Sequence, residues 1–85
     1  MGSQNLAKFR TALKLLVGTE EYKKLYIEVR RRAHDYVIKV SDLTSEEAAG
    51  LADVMTAEGM PTTWYPGMAS YPHQYKYKAF TLPKT

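Results

Sequence analysis

Cysteine is absent from all 85 residues, so no disulfide can staple the fold and no thiolate can act as nucleophile or metal ligand. A secreted domain this small often needs such staples, which points to a reducing compartment, the cytoplasm. Histidine is scarce: His34 and His73 stand far apart, without a nucleophile or second ligand at a chemically useful spacing. Ser70 lies near His73, but proximity in sequence does not make a triad. Without cysteine, a zinc site would have to recruit carboxylates across the fold, so no metal is expected. No glycine-rich phosphate loop follows a strand pattern, so no nucleotide cofactor is expected either. Catalysis is poorly served by these residues, and the chain reads as a non-enzyme. No apolar run approaches the roughly 20 residues of a membrane span, and no signal peptide is recognisable. Met1-Gly2 opens like a myristoylation site, but Leu6 stands where that motif needs Ser or Thr. Residues 1–3 also read as an expression scar.

The charges present are strongly segregated. Residues 1–40 carry a net +5, residues 41–60 carry five acids and no base, and the rest carry only Lys76, Lys78 and Lys84. A surface with two signs suits partners of opposite charge. The length fits one domain, spanning 1–85.

Helical spacing of Leu6, Phe9, Leu13, Leu16 and Val17 predicts a helix over Gln4–Val17, stopped by Gly18. A second helix is predicted from Thr19, as its cap, to Ala33. Glu20 and Glu21 would lie in its first turn and Arg30, Arg31 and Arg32 in its last. Ile27 fits that helix poorly, because it lands among Lys23, Lys24, Arg30 and Arg31. A strand reading competes: Leu25, Ile27 and Val29 would face inward and pair through a turn near Ala33–Asp35. Tyr36–Val40 is the clearest strand and is expected to be central. Thr44-Ser45-Glu46-Glu47 forms a capping box for a helix that buries Ala48, Leu51, Ala52 and Met55 and ends at Gly59. Thr62–Tyr65 and His73–Thr81 read as strands joined through Pro66–Pro72, with Pro66-Gly67 in a type II turn. The fold class is therefore α+β: an N-terminal helical pair, then a β-α-β-β unit forming a small, mainly antiparallel sheet. Its outline is that of split β-α-β domains, but no residue motif carries a named family.

Two binding roles compete, one directed at nucleic acid or another polyanion and one at a larger protein. For the first, Lys23, Lys24, Arg30, Arg31 and Arg32 would meet phosphates, with Lys23, Lys24, Arg30 and Arg31 as one basic stripe. In a strand, Tyr75 and Tyr77 would share one face and Lys76 and Lys78 the other. The tyrosines could then stack on bases, or pack on the helices while the lysines face water. For the second, Trp64, Tyr65, Met68 and Tyr71 crowd into a proline-stiffened segment, the composition of a docking loop or of a lid on the core. The acidic helix could also meet a basic partner or the arginines of a second copy, as a homodimer.

Overall fold

Tyr36, Ile38 and Val40 alternate along one strand and are all fully buried, which fixes the face of the sheet that meets the helices. The computed structural model describes residues 4–68 and 76–84. In chain order the elements are α1 (Gln4–Val17), α2 (Thr19–Lys24), β1 (Ile27–Arg31), β2 (Asp35–Ser41), α3 (Ser45–Ala57), β3 (Thr63–Met68) and β4 (Lys76–Pro83). The sheet has the order β1-β2-β4-β3, and every neighbouring pair is antiparallel. β2 and β3 consequently run parallel, with β4 between them and α3 as the crossover. This is the expected α+β class.

The helices cover one face of the sheet. Phe9 from α1 and Phe80 from β4 meet edge to face, with ring centroids 5.1 Å apart. Leu6, Leu13, Ala48, Leu51 and Met55 join Ile38, Val40 and Leu82 in the same cluster. The capping box forms as predicted: Thr44 Oγ1 accepts from the Glu47 N–H, and Glu47 Oε1 accepts from the Thr44 N–H, both at 3.0 Å. Gly59, at φ +88°, ends α3 in the left-handed region that glycine occupies without cost. Gly50 is different. It sits mid-helix, where glycine costs about 1 kcal/mol relative to alanine, and a Cβ there would meet nothing within 4 Å.

Asn5 Nδ2 donates to the Pro83 carbonyl at 2.8 Å, so α1 starts at the end of the sheet where Asp35 pairs with Pro83. Val17, at the end of α1, shares a cleft with Leu43 and Glu47, beside the start of α3. The two long helices therefore run antiparallel across the sheet.

The predicted second helix is overturned beyond Lys24. Residues 27–31 form β1, as the competing strand reading has it. Ile27 pairs with Val40 and Val29 with Ile38, so both side chains share the helix-covered face and pack against the core. A helix would have left Ile27 among cations. Around Tyr26 the ladder is extended by the Tyr26 N–H donating to Ser41 Oγ (2.8 Å) and the Ser41 N–H donating to the Tyr26 carbonyl (3.0 Å). Thr19 does not cap α2; Gly18, at φ +92°, holds that position without a side-chain bond. The Pro66-Gly67 turn is also overturned, because both residues lie within β3. Proline is tolerated there because β3 lies at the edge of the sheet, with no neighbour on its outer side among the described residues to receive an N–H. Residues 73–75 of the predicted last strand lie outside the described residues.

Ile27→Ala is expected to lower unfolding stability by about 1–2 kcal/mol in a urea titration, between the cost at an exposed site and at a fully buried one. A loss below about 0.5 kcal/mol would contradict its packing on the core.

Candidate functional site

Facing residues of paired antiparallel strands point to the same side of the sheet. The side away from the helices therefore carries Arg30, Val37, Thr81 and Thr63 across one row, and Glu28, Lys39, Ala79 and Tyr65 across the next. A third row carries Ser41, Tyr77 and Gly67, with Tyr26 just before β1. Tyr26 is 56 % exposed and Tyr65 50 %. Ala79 is fully buried between its larger neighbours.

Tyr77 and Gly67 are shaped to each other. A Cβ built on Gly67 would lie 2.5 Å from Tyr77 Cζ, so the ring lies over the glycine in space that any other residue would fill. Lys39 Nζ stands 5.2 Å from the centroid of the same ring, within cation–π range, and 3.9 Å from Glu28 Oε2. The open face thus combines aromatic rings with the cations Arg30 and Lys39. No protein-family model matches the chain, and no curated protein is significantly similar to it.

The predicted basic stripe is not continuous. Lys23 and Lys24 lie on exposed α2, 3.9 Å from Glu20 and 3.5 Å from Glu21 respectively. Strand alternation then separates the arginine run. Arg30 points to the open face. Arg31 lies on the helix side, its guanidinium carbon 5.8 Å from the centre of the Tyr36 ring. Arg32 is engaged at the hairpin turn by Asp35, with Nε to Oδ1 at 2.6 Å and the second nitrogen to Oδ2 at 2.8 Å. Of the alternating Tyr/Lys segment, Tyr77 takes the open face, which overturns its packing on the helices. Lys78 turns to the helix side, where Nζ donates to the Leu43 carbonyl at 2.9 Å. Lys76 is exposed at the start of β4, and Tyr75 lies outside the described residues.

The four residues of the predicted docking loop are likewise parted. Trp64 faces the helices and packs against the core, while Tyr65 occupies the opposite face of the same strand. Met68 is the last residue of β3, and Tyr71 lies outside the described residues. Lys39, Tyr26 and Gly67 were missed as members of a site. Lys39 was legible in principle, being the polar step in the alternation of Tyr36–Val40.

Among the described residues no group of three or more His, Asp or Glu could hold a metal ion, and no helix is long and apolar enough to cross a membrane. His34 is exposed in the hairpin turn, where its carbonyl accepts from the Lys84 N–H at 3.2 Å.

The Arg32–Asp35 pair is the clearest electrostatic feature. The hydrogen bond from Arg32 holds the Asp35 carboxyl below its ordinary range, and the charges of Arg32, His34 and Lys84 act in the same direction. The guanidinium is raised by the same bond. Because the Asp35 carboxyl is lowered in the folded chain, the pair stabilises at neutral pH, and that contribution fades as pH falls below about 4, through the lowered value. Asp35→Asn is expected to lower the melting temperature at pH 7. Its gap from the unsubstituted protein should narrow progressively in melts below pH 4, whereas a constant gap would disprove the linkage.

Proposed function

We propose that this domain is a non-enzymatic binding module that holds single-stranded nucleic acid on its helix-free sheet face. The observation that carries this reading is the Tyr77 ring, laid over Gly67 with Lys39 above it and Tyr65 and Arg30 on the same face. Bases of any identity present a flat π-surface, and stacking one on an aromatic ring contributes about 1–3 kcal/mol. A base arriving over Tyr77 would displace the Lys39 ammonium sideways, where its three N–H groups can meet the neighbouring phosphate. Arg30 lies one row further along and would meet the next segment of backbone. The cysteine-free composition fits action in a reducing compartment such as the cytoplasm.

A protein-docking role is the second reading. It draws on Tyr65 and Tyr26, large rings half exposed on the same face.

Fluorescence anisotropy with a labelled single-stranded oligonucleotide tests the first reading. Binding is expected at low salt and should weaken steeply as salt rises, because phosphate contacts release counterions. Tyr77→Ala should weaken it about tenfold or more. Tyr65→Ala, at a half-exposed position, should do the same without endangering the fold. Lys39→Ala should flatten the salt slope by about 0.7. No binding at about 100 μM protein in low salt, or full binding by both tyrosine variants, would refute the proposal.

A further inference from the structure

The outer side of the helical layer carries a surface that the open sheet face does not use. At 100° per residue, the inward positions Leu6, Phe9 and Leu13 leave Lys8, Thr11 and Leu15 pointing away from the sheet. On α3, inward Ala48, Leu51 and Met55 leave Glu46, Gly50 and Asp53 pointing away. Between the helices runs an open apolar groove of about 480 Å³, with Leu15, Leu16 and Val54 along it and Lys8 and Glu58 toward one end. Leu15 is 81 % exposed, Val54 47 % and Leu16 42 %. Adjacent exposed aliphatic side chains of this kind mark an interaction surface.

We infer that a second copy of this chain covers this surface, in a twofold dimer whose axis runs along the groove. Charge selects both the partner and the axis. α1 holds Lys8, Arg10 and Lys14 and no acid, while α3 holds Glu46, Glu47 and Asp53 and no base. An axis across the helices would lay α1 on α1 and set cations against cations. An axis along the groove lays each basic α1 over the acidic α3 of the other copy, antiparallel to it. That arrangement is isologous, as a twofold interface must be.

The register follows from the helix rise. Lys8 and Glu58 lie at the same end of the groove, so this axis sets Lys8 of each copy opposite Glu58 of the other. From Lys8 to Leu15 is seven residues, about 10 Å along α1, and seven residues back from Glu58 is Leu51, which faces the sheet; the outward position nearest that level is its neighbour Gly50. The protruding Leu15 therefore comes down within one residue of the one α3 position with no side chain, where a Cβ would meet nothing. Gly50, unexplained within a single chain, becomes the hole for that knob. Each broad face of the 34 × 28 × 19 Å domain has room for the roughly 800 Å² per partner of a standard interface. The open sheet faces then point outward on opposite sides, so the dimer stands or falls independently of nucleic-acid binding.

Sedimentation equilibrium without nucleic acid, up to about 1 mM protein, tests the inference. The expected mass approaches twice the 9.7 kDa of the chain. Leu15→Lys should return it to that of the monomer. Lys8→Glu and Glu58→Lys should each raise the dissociation constant about tenfold, since each acts twice across the axis, and the double reversal should restore association. Tyr77→Ala should leave the mass unchanged, which separates this test from that of the sheet face. Circular dichroism confirms that each variant is folded. A monomer at about 1 mM, a dimer unaffected by Leu15→Lys, or a double reversal that fails to rescue would each overturn the inference.

Discussion

The burial of one side of β2 is the constraint on which the rest depends. Tyr36, Ile38 and Val40 sit at 0–1 % exposure under two helices, and every other strand takes its facing from them. A slip of one residue would send these side chains to water and Val37 and Lys39 into the core. Local devices hold the register against that slip. The Arg32–Asp35 clamp closes the β1–β2 hairpin at one end, and the Tyr26–Ser41 bonds extend it at the other. Lys78 is a further consequence. It falls on the inward side of β4, where its ammonium reaches the Leu43 carbonyl at the border of the core.

What the residues made legible was what neighbours in sequence decide. α1 has a clean helical period and a glycine stop, and α3 has a capping box and its own glycine stop, so both could be placed before any tertiary contact was known. Residues 25–33 could not, because Leu25, Tyr26 and Val29 fit a helical period while Leu25, Ile27 and Val29 fit a strand. The tie is broken by pairing with Val40 and Ile38, a non-local interaction that no window of sequence contains. Pro66-Gly67 failed for the opposite reason. Its turn chemistry is strong locally, but an edge strand can absorb a proline, and the glycine is required by the Tyr77 ring crossing from β4. Much of the candidate site shared that fate. Alternation shows that Tyr77 and Lys78 oppose each other, but only the position of the helices decides which of the two faces outward.

The arginine run shows how far a charge count is from a charge distribution. Adjacent in sequence, Arg30, Arg31 and Arg32 go to the open face, the helix side and the hairpin turn. Arg32 shares the open side with Arg30, but its charge is taken up by the Asp35 carboxylate. Lys39, which is isolated in sequence among apolar residues, contributes as much to that face as the whole run does. The long-range alternation of charge between segments fares better. It survives folding as a basic helix lying antiparallel beside an acidic one, because a helix keeps its residues together where a strand divides them between two sides.

An antiparallel sheet with helices on one side only has an asymmetric cost of exposure. Its uncovered face must be stable in water yet able to exchange water for a ligand. Here that face is built from rings and cations that partly satisfy each other: Tyr77 under Lys39, and Lys39 near Glu28. Each of these contacts is worth about 1 kcal/mol or less at an exposed site, so a stacking base and a phosphate can replace them without unfolding anything. The helical face has no such internal substitutes among the described residues, where Leu15 and Val54 stay exposed. One side of the domain is therefore poised to trade weak contacts for stronger ones, and the other carries apolar side chains left exposed among the described residues. That difference in physical character makes the two sides separable by substitution.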